Sequence, residues 1–227
     1  MMPTAPPEID GKLAREEFEH VTEDLAAHGW RSALERSRRR LDAEAEAAID
    51  ASSVKPACKE GCWYCCYYRV TVHPEEAFAI VEYVRAHFDQ KRGQRVREDV
   101  AANAKALRRM SHQEQLVANL KCPFLDDGRC SIYPVRPTRC RNFHAIDVDG
   151  CRRSYEEPNV EVPNSFVDGL RNTTESVSKG YGEALRRAGF DTSVAEMNAA
   201  LAACLTAATP RERFERKKRA FSVQIID

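Results

Sequence analysis

The sequence predicts a mainly α fold, a helical domain around a small core of strands and loops that carries most of the cysteines. Three observations predict it. Apolar residues recur at spacings of three and four along most of the chain. Charged residues make up 31% of the chain, above the rough quarter of an average globular protein, which suits solvated helices. Eight of the nine cysteines fall between positions 58 and 151, next to short strand-like runs and turn signals.

The elements follow in order. Residues 1–10 are Pro-rich and read as frayed. From Leu13 the pattern is helical, with Phe18, Val21 and Leu25 on one face and Gly29 placed to end the helix. A second helix runs from about Arg31 to Ala48, with Leu34, Leu41 and Ala45 on one face. Residues 1–50 hold 12 acids against 7 bases, so this arm is acidic, and it reads as an antiparallel hairpin. Residues 51–57 form a turn-rich link. Val70 and Val72 alternate with polar neighbours and predict a short strand. Pro74 suits the first position of a helix, with Glu75 and Glu76 favourable near its positive end. That helix carries Phe78, Val81 and Val84 to about Gln90, and Gly93 is expected to break it.

A longer helix is expected over 94–119, with Val96, Val100, Leu107 and Val117 inward. Residues 122–134 read as a hairpin about the Asp127-Gly128 turn. Residues 145–164 show little periodicity and read as an irregular wrap. Helices resume over 165–187 and 193–206, the latter with Ser193 and Glu196 as a capping box. Thr209-Pro210 then starts a basic helix to about Phe221. By domain, residues 1–57 are a helical hairpin arm and link and 58–151 a cysteine core. Residues 152–227 form a helical segment packed with that core.

Composition excludes several classes of function. The chain has 35 Lys or Arg and 35 Asp or Glu, so its formal charge is zero, which speaks against nucleic acid as a partner. No apolar run is long enough to span a membrane. The opening MMPTAPPEIDGK lacks the apolar stretch of a secretory signal, so a cytoplasmic location is expected. No phosphate loop, GxSxG or HExxH motif appears. In the tail, residues 209–219 hold six bases against two acids and read as a solvated face.

The cysteines carry the chemistry. In a reducing cytosol structural disulfides are rare, and nine cysteines leave one over in any full pairing. Four lie within CKEGCWYCC: Cys58, Cys62, Cys65 and Cys66. Were that segment helical, the first three would fall within roughly 60° of one face. Converging thiolates repel, and a bound cation relieves the repulsion. The second group is Cys122, Cys130 and Cys140, the first two expected on opposite arms of the hairpin and the third beyond Pro134 and Pro137. Such a set suggests a thiophilic centre, zinc or an iron–sulfur cluster. Cys204, on an alanine-rich helix, reads instead as a core residue.

CKEGCWYCC followed by CPFLDDGRCSIYPVRPTRCR resembles the YkgJ-type cysteine-cluster proteins, the CxxCxxCC zinc- or iron-chelating domain family. The resemblance covers about residues 58–145. The gap from Cys58 to Cys62 holds three residues where the family label has two. What the resemblance implies is metal binding by Cys58, Cys62, Cys65, Cys66, Cys122, Cys130 and Cys140. Cys151, beyond the strict motif, is carried with them. A related domain in flagellin lysine methylases implies an iron–sulfur centre.

Zinc in structural sites often sits between two C-x2-C knuckles, and only one such pair, Cys62 and Cys65, is present. Cys58, Cys62 and Cys65 instead have the C-x3-C-x2-C spacing that holds a four-iron cluster in radical S-adenosylmethionine enzymes, with Tyr64 before the third cysteine. The repeated strand–helix units and glycine-rich segment of those enzymes are missing, so the spacing favours an iron–sulfur cluster over zinc without indicating that enzyme class. Trp63, Tyr64, Tyr67, Tyr68, Phe124, Tyr133 and Phe143 read as a water-excluding shell. Arg136, Arg139 and Arg141 either compensate thiolate charge or pair with carboxylates. His144 reads as a polar residue rather than a ligand, and His73 as a helix-entry residue.

Three kinds of function remain, one of them a zinc-stapled interaction domain that needs no redox chemistry. Another is a metal-binding protein in redox chemistry, metal handling or assembly with a protein partner. The third is a metal-dependent enzyme modifying protein or peptide, related to methyl transfer.

Overall fold

The computed structural model describes residues 11–162, 166–167 and 169–222. Helix α1, Lys12–Ala51, is two helical arms joined at Gly29, whose φ of 76° and ψ of 174° lie outside the helical region. That positive φ strains any residue with a Cβ, so glycine makes the reversal possible. The arms run antiparallel. Arg40 of the second arm meets Glu17 at 2.5 Å and Asp24 at 3.0 Å on the first, and Arg36 meets Asp24 at 3.2 Å. Glu17 and Asp24 are almost fully buried, and these guanidinium contacts offset their loss of water.

Helix α7, Leu170–Arg187, lies along this hairpin. At Gly180 the backbones approach so closely that an added Cβ would meet the Ala14 carbonyl oxygen at 2.3 Å. Val21, Ala33 and Leu34 pack there against Tyr181, Ala184 and Leu185.

Helix α2, Pro74–His87, opens with Pro in its first turn, and the Glu76 carboxylate reaches back to accept the His73 N–H. Its Phe78, Ile80, Val81 and Val84 enter the main core. Trp30 meets Phe78 and Phe214 edge to face there, with ring centroids 5.9 and 5.7 Å apart. The helix ends at His87, short of the expected Gln90.

Gly93 does not break a helix. Helix α3, Gln90–Leu107, begins before it because the Asp89 carboxylate accepts the Arg92 N–H at 2.7 Å and fixes the start. Gly93 falls in the first turn, where its low propensity matters least. The helix expected over 94–119 is two helices. Helix α4, His112–Val117, starts anew because Ser111 and Glu114 form a reciprocal capping box. Val96, Val100 and Leu107 are buried, as their spacing predicts, and Val117 is half-buried.

Strand β1, Thr71–Val72, pairs antiparallel with β4, Ala195–Glu196. Strand β2, Leu125–Asp126, pairs with β3, Arg129–Cys130, across the Asp127-Gly128 turn. Helix α5, Thr138–Arg141, is a single turn after Pro137. The expected irregular wrap contains helix α6, Val148–Glu156, too short for its periodicity to register. The expected helix over 165–187 begins at Leu170; positions 165 and 168 lie outside the described residues.

Helix α8 spans Met197–Thr206. Glu196, not Ser193, caps it, accepting the N–H groups of Asn198 and Ala199 at 2.9 and 2.8 Å. The chain from Ala195 is already committed to pairing with β1, which pushes the helix start later. Helix α9, Thr209–Glu215, ends before Phe221, which is buried in the main core. The fold is mainly α, and no helix among the described residues is long and apolar enough to cross a membrane.

Candidate metal centre

CKEGCWYCC is not an α-helix. It turns at Gly61, with φ of 87°, and makes one 3-10 turn over Tyr64–Tyr67. Its cysteines therefore point from a folded loop rather than along one helix face. Backbone bonds tie this loop to the later cysteine segments. The Cys122 N–H donates to the Cys66 carbonyl at 2.8 Å, and the Ala57 N–H to the Ala145 carbonyl at 2.8 Å. The Cys58 Sγ lies 3.7 Å from the Ala145 carbonyl oxygen. Glu60 and Arg129 pair at 3.1 Å and bring in the tip of the β2–β3 hairpin. The Tyr68 hydroxyl donates to the Cys151 carbonyl at 3.4 Å.

Cys122 precedes β2 rather than lying on it, while Cys130 is on β3. Cys140 comes from α5 and Cys151 from α6. All nine cysteines are free thiols.

Cys65 is the common neighbour. It is within electrostatic reach of Cys58, Cys66, Cys122, Cys130, Cys140 and Cys151. Cys62 joins from the side of Cys58 and Cys151. Hydrogen bonding with Cys66 and then burial push the Cys65 thiol well up. Burial, reinforced by neighbouring sulfurs, raises Cys122, lifts Cys140 to about 12 and Cys151 to about 11. Cys58 and Cys130 are raised chiefly by burial as well. Thiols that resist ionisation because they are buried and crowd one another are donors whose ionised form a cation would stabilise. The sulfurs share one neighbourhood without converging on a point. Among the described residues no three His, Cys, Asp or Glu side chains stand together tightly enough to hold an ion.

Arg136 is the cation that most often faces these thiols, opposing the rise at Cys58, Cys65, Cys130 and Cys140. It also stacks over Tyr133 with 3.9 Å to the ring centroid. Arg141 is buried and pairs with Asp42, and it donates to the Pro134 carbonyl at 2.6 Å. It therefore anchors α5 to α1. Arg139 is exposed.

The aromatic shell is partly as expected. Phe124 is buried, and Trp63, Tyr64, Tyr67, Tyr68 and Phe143 are half-buried, but Tyr133 is 57% exposed and stands outside it. Tyr155 is a member that sequence reasoning missed; its ring lies 5.2 Å from Trp63 and 4.9 Å from Tyr67. The four-residue step from Cys151 on α6 was the available signal. His144 is half-buried, with Arg136 and Asp42 acting on it electrostatically. Cys204 sits in the main core away from the other thiols, with burial lifting it to about 12.

A buried polar group was also missed. Glu75 is fully buried, has no ion pair among the described residues, and faces the Tyr181 hydroxyl. Burial pushes it up to about 7. Glu76 caps α2, its Oε2 accepting the His73 N–H at 3.1 Å and its Oε1 the Thr138 N–H at 2.7 Å. Burial works against its charge, but His73, Arg38 and the Thr138 N–H hold it below the usual carboxylate range.

A helical shell that gathers eight thiols from four short segments defines a cysteine-cluster domain. Residues 57–164 match the family described as CxxCxxCC, putative zinc- or iron-chelating domain. The match runs past the motif to include Cys151 and α6. No curated protein and no solved structure matches the chain. The donor set fits the family's description: free, soft sulfur ligands suit zinc or iron, whereas ions that prefer oxygen would call for carboxylates.

Proposed function

We propose that Cys58, Cys62, Cys65, Cys66, Cys122, Cys130, Cys140 and Cys151 hold an iron–sulfur cluster, and that the protein serves redox chemistry, metal handling or partner assembly in the cytoplasm. The observation that carries this reading is the grouping of these thiols around Cys65. One four-coordinate zinc uses about four ligands. A single iron–sulfur cluster likewise takes four cysteines, so the C-x3-C-x2-C spacing of Cys58, Cys62 and Cys65 is what favours a cluster. A bound cluster would supply one-electron chemistry. The chain's own part is to exclude water with Trp63, Phe124 and Tyr155 and to set Arg136 against the negative charge of the sulfurs.

Anaerobic purification with an absorption spectrum and counts of iron, zinc and sulfide tests this. Iron with matching sulfide and a broad visible band is expected. Colourless protein carrying zinc alone would overturn the cluster in favour of a zinc centre. Cys65→Ser should lose the metal and Cys204→Ser should keep it; equal losses would defeat the assignment of ligands.

A further inference from the structure

A cavity of about 250 Å³ lies on the other side of α5 from the thiols. Helix α5 sends Cys140 toward the sulfurs, while Thr138, Arg139 and the following Asn142 line the cavity. The second arm of α1 and helix α7 supply apolar wall, including Leu41 and Val177. The start of α2 supplies His73 and Glu76.

Unpartnered buried polar atoms concentrate here. Of the ten such side-chain atoms among the described residues, four belong to cavity-lining residues: Arg38 Nε, His73 Nδ1, Asn142 Oδ1 and the Tyr181 hydroxyl.

Arg38 is the most telling. It is 7% exposed, yet its guanidinium makes one hydrogen bond, to the Val135 carbonyl at 3.3 Å, and no ion pair among the described residues. Glu76, 2% exposed, is close enough to act on it but does not pair with it. Arg38 is a buried cation short of partners, which is costly, and Glu76, although each of its oxygens accepts one backbone N–H, has no ion pair among the described residues. A ligand carrying the complementary charges would pair with both at once. A volume of about 250 Å³ holds about eight waters at roughly 30 Å³ each, and so a molecule of about that many non-hydrogen atoms.

We propose that this cavity binds a free α-amino acid with an aliphatic side chain, its carboxylate on Arg38, its ammonium on Glu76 and its side chain against Leu41 and Val177. The proposal does not depend on the metal reading.

Calorimetric titration of the full chain with leucine, valine and isoleucine tests it, alongside 3-methylbutanoate and 3-methylbutylamine, which carry one charge each. At least one amino acid should bind, and the acid and the amine should each bind about tenfold or more weakly, because each leaves one buried charge unpaired. Arg38→Met should weaken the amino acid by about tenfold or more. Ser178→Phe, which fills the cavity from α7, should abolish binding while melting temperature and metal content stay unchanged. The idea is overturned if no amino acid binds, if either single-charge analogue binds equally well, or if a folded Ser178→Phe protein still binds.

Discussion

Replacing Glu75 by Gln isolates the buried carboxyl at the start of α2. The group has no solvent exposure, and the Tyr181 hydroxyl is the side-chain donor beside it. His73, Glu76, Tyr181 and Arg38 are the charged or titratable groups that act on it or feel it. Its carboxyl is pushed from 4.5 to about 7, chiefly by burial. Between those two values the unfolded chain has lost this proton and the folded chain keeps it. Stability from this group is therefore full below about pH 4.5 and falls as pH rises through 7. A gap of about 2.5 pH units at about 1.4 kcal/mol each sets the loss at about 3 kcal/mol. Glu75→Gln cannot ionise and escapes it. Urea unfolding of both proteins from pH 4.5 to 8.5 should show similar stability at the acid end and a widening advantage for the variant, up to about 3 kcal/mol, at the alkaline end. Taking the difference cancels the titration of groups common to both proteins. A difference that stays flat across this range would refute the reasoning.

Other outcomes follow from packing. Gly180→Ala should lower stability by about 1–3 kcal/mol in urea unfolding despite alanine's better helix propensity, because its Cβ would press on the Ala14 carbonyl. Gly182→Ala, two residues on with nothing within 4 Å of the new Cβ, should gain up to about 1 kcal/mol. Arg141→Ala removes a buried guanidinium that half-exposed Asp42 and two carbonyls share, and should cost about 1–3 kcal/mol, while exposed Arg139→Ala stays within about 0.5 kcal/mol by the same assay. Stripping metal with a chelator should leave the far-ultraviolet helical signal nearly intact while raising amide hydrogen exchange over residues 58–66 and 119–157.

The helical character was legible because Val21, Leu34, Phe78, Val96 and Val100 mark their buried faces with ordinary periodicity. Gly29 was legible for the same local reason. Helix boundaries set by side-chain caps were harder to read. Asp89 starts α3 ahead of a glycine that looks like a breaker, and Ser111 with Glu114 starts α4 inside what reads as one long helix. Pairing of β4 with β1 delayed α8, and nothing local to Ser193 reveals a strand more than a hundred residues away. The cysteines were legible as a set from their spacing and the shared motif. Their surroundings were not. Arg38 lies between Leu34 and Leu41 on the buried face of its arm, where a charge reads as a neighbour of the core rather than part of it. Glu75 and Glu76 look alike next to Pro74, yet Glu76 caps the helix and Glu75 is buried against the Tyr181 hydroxyl.

The expected response to chelation rests on where the apolar burial lies. The main core around Trp30, Phe78, Leu201 and Phe214, and the second cluster joining α1 to α7, are built without the eight clustered thiols at their centre; Cys122 and Cys130 touch only the edge of the first. Burial of that apolar surface is the dominant favourable contribution to folding, so the helices do not need a metal to form. The cysteine segments are different. They consist of one 3-10 turn, a two-residue hairpin, a single-turn helix and a nine-residue helix, joined by a few hydrogen bonds such as Cys122 to Cys66 and Ala57 to Ala145. Elements that short cannot pay for their ordering from their own packing. A metal bridging Cys65 to Cys122, Cys130 and Cys140 would add its binding energy to these weakest parts of the fold. Its removal should therefore open the loops and spare the shell, unlike a zinc finger, whose whole fold depends on the ion.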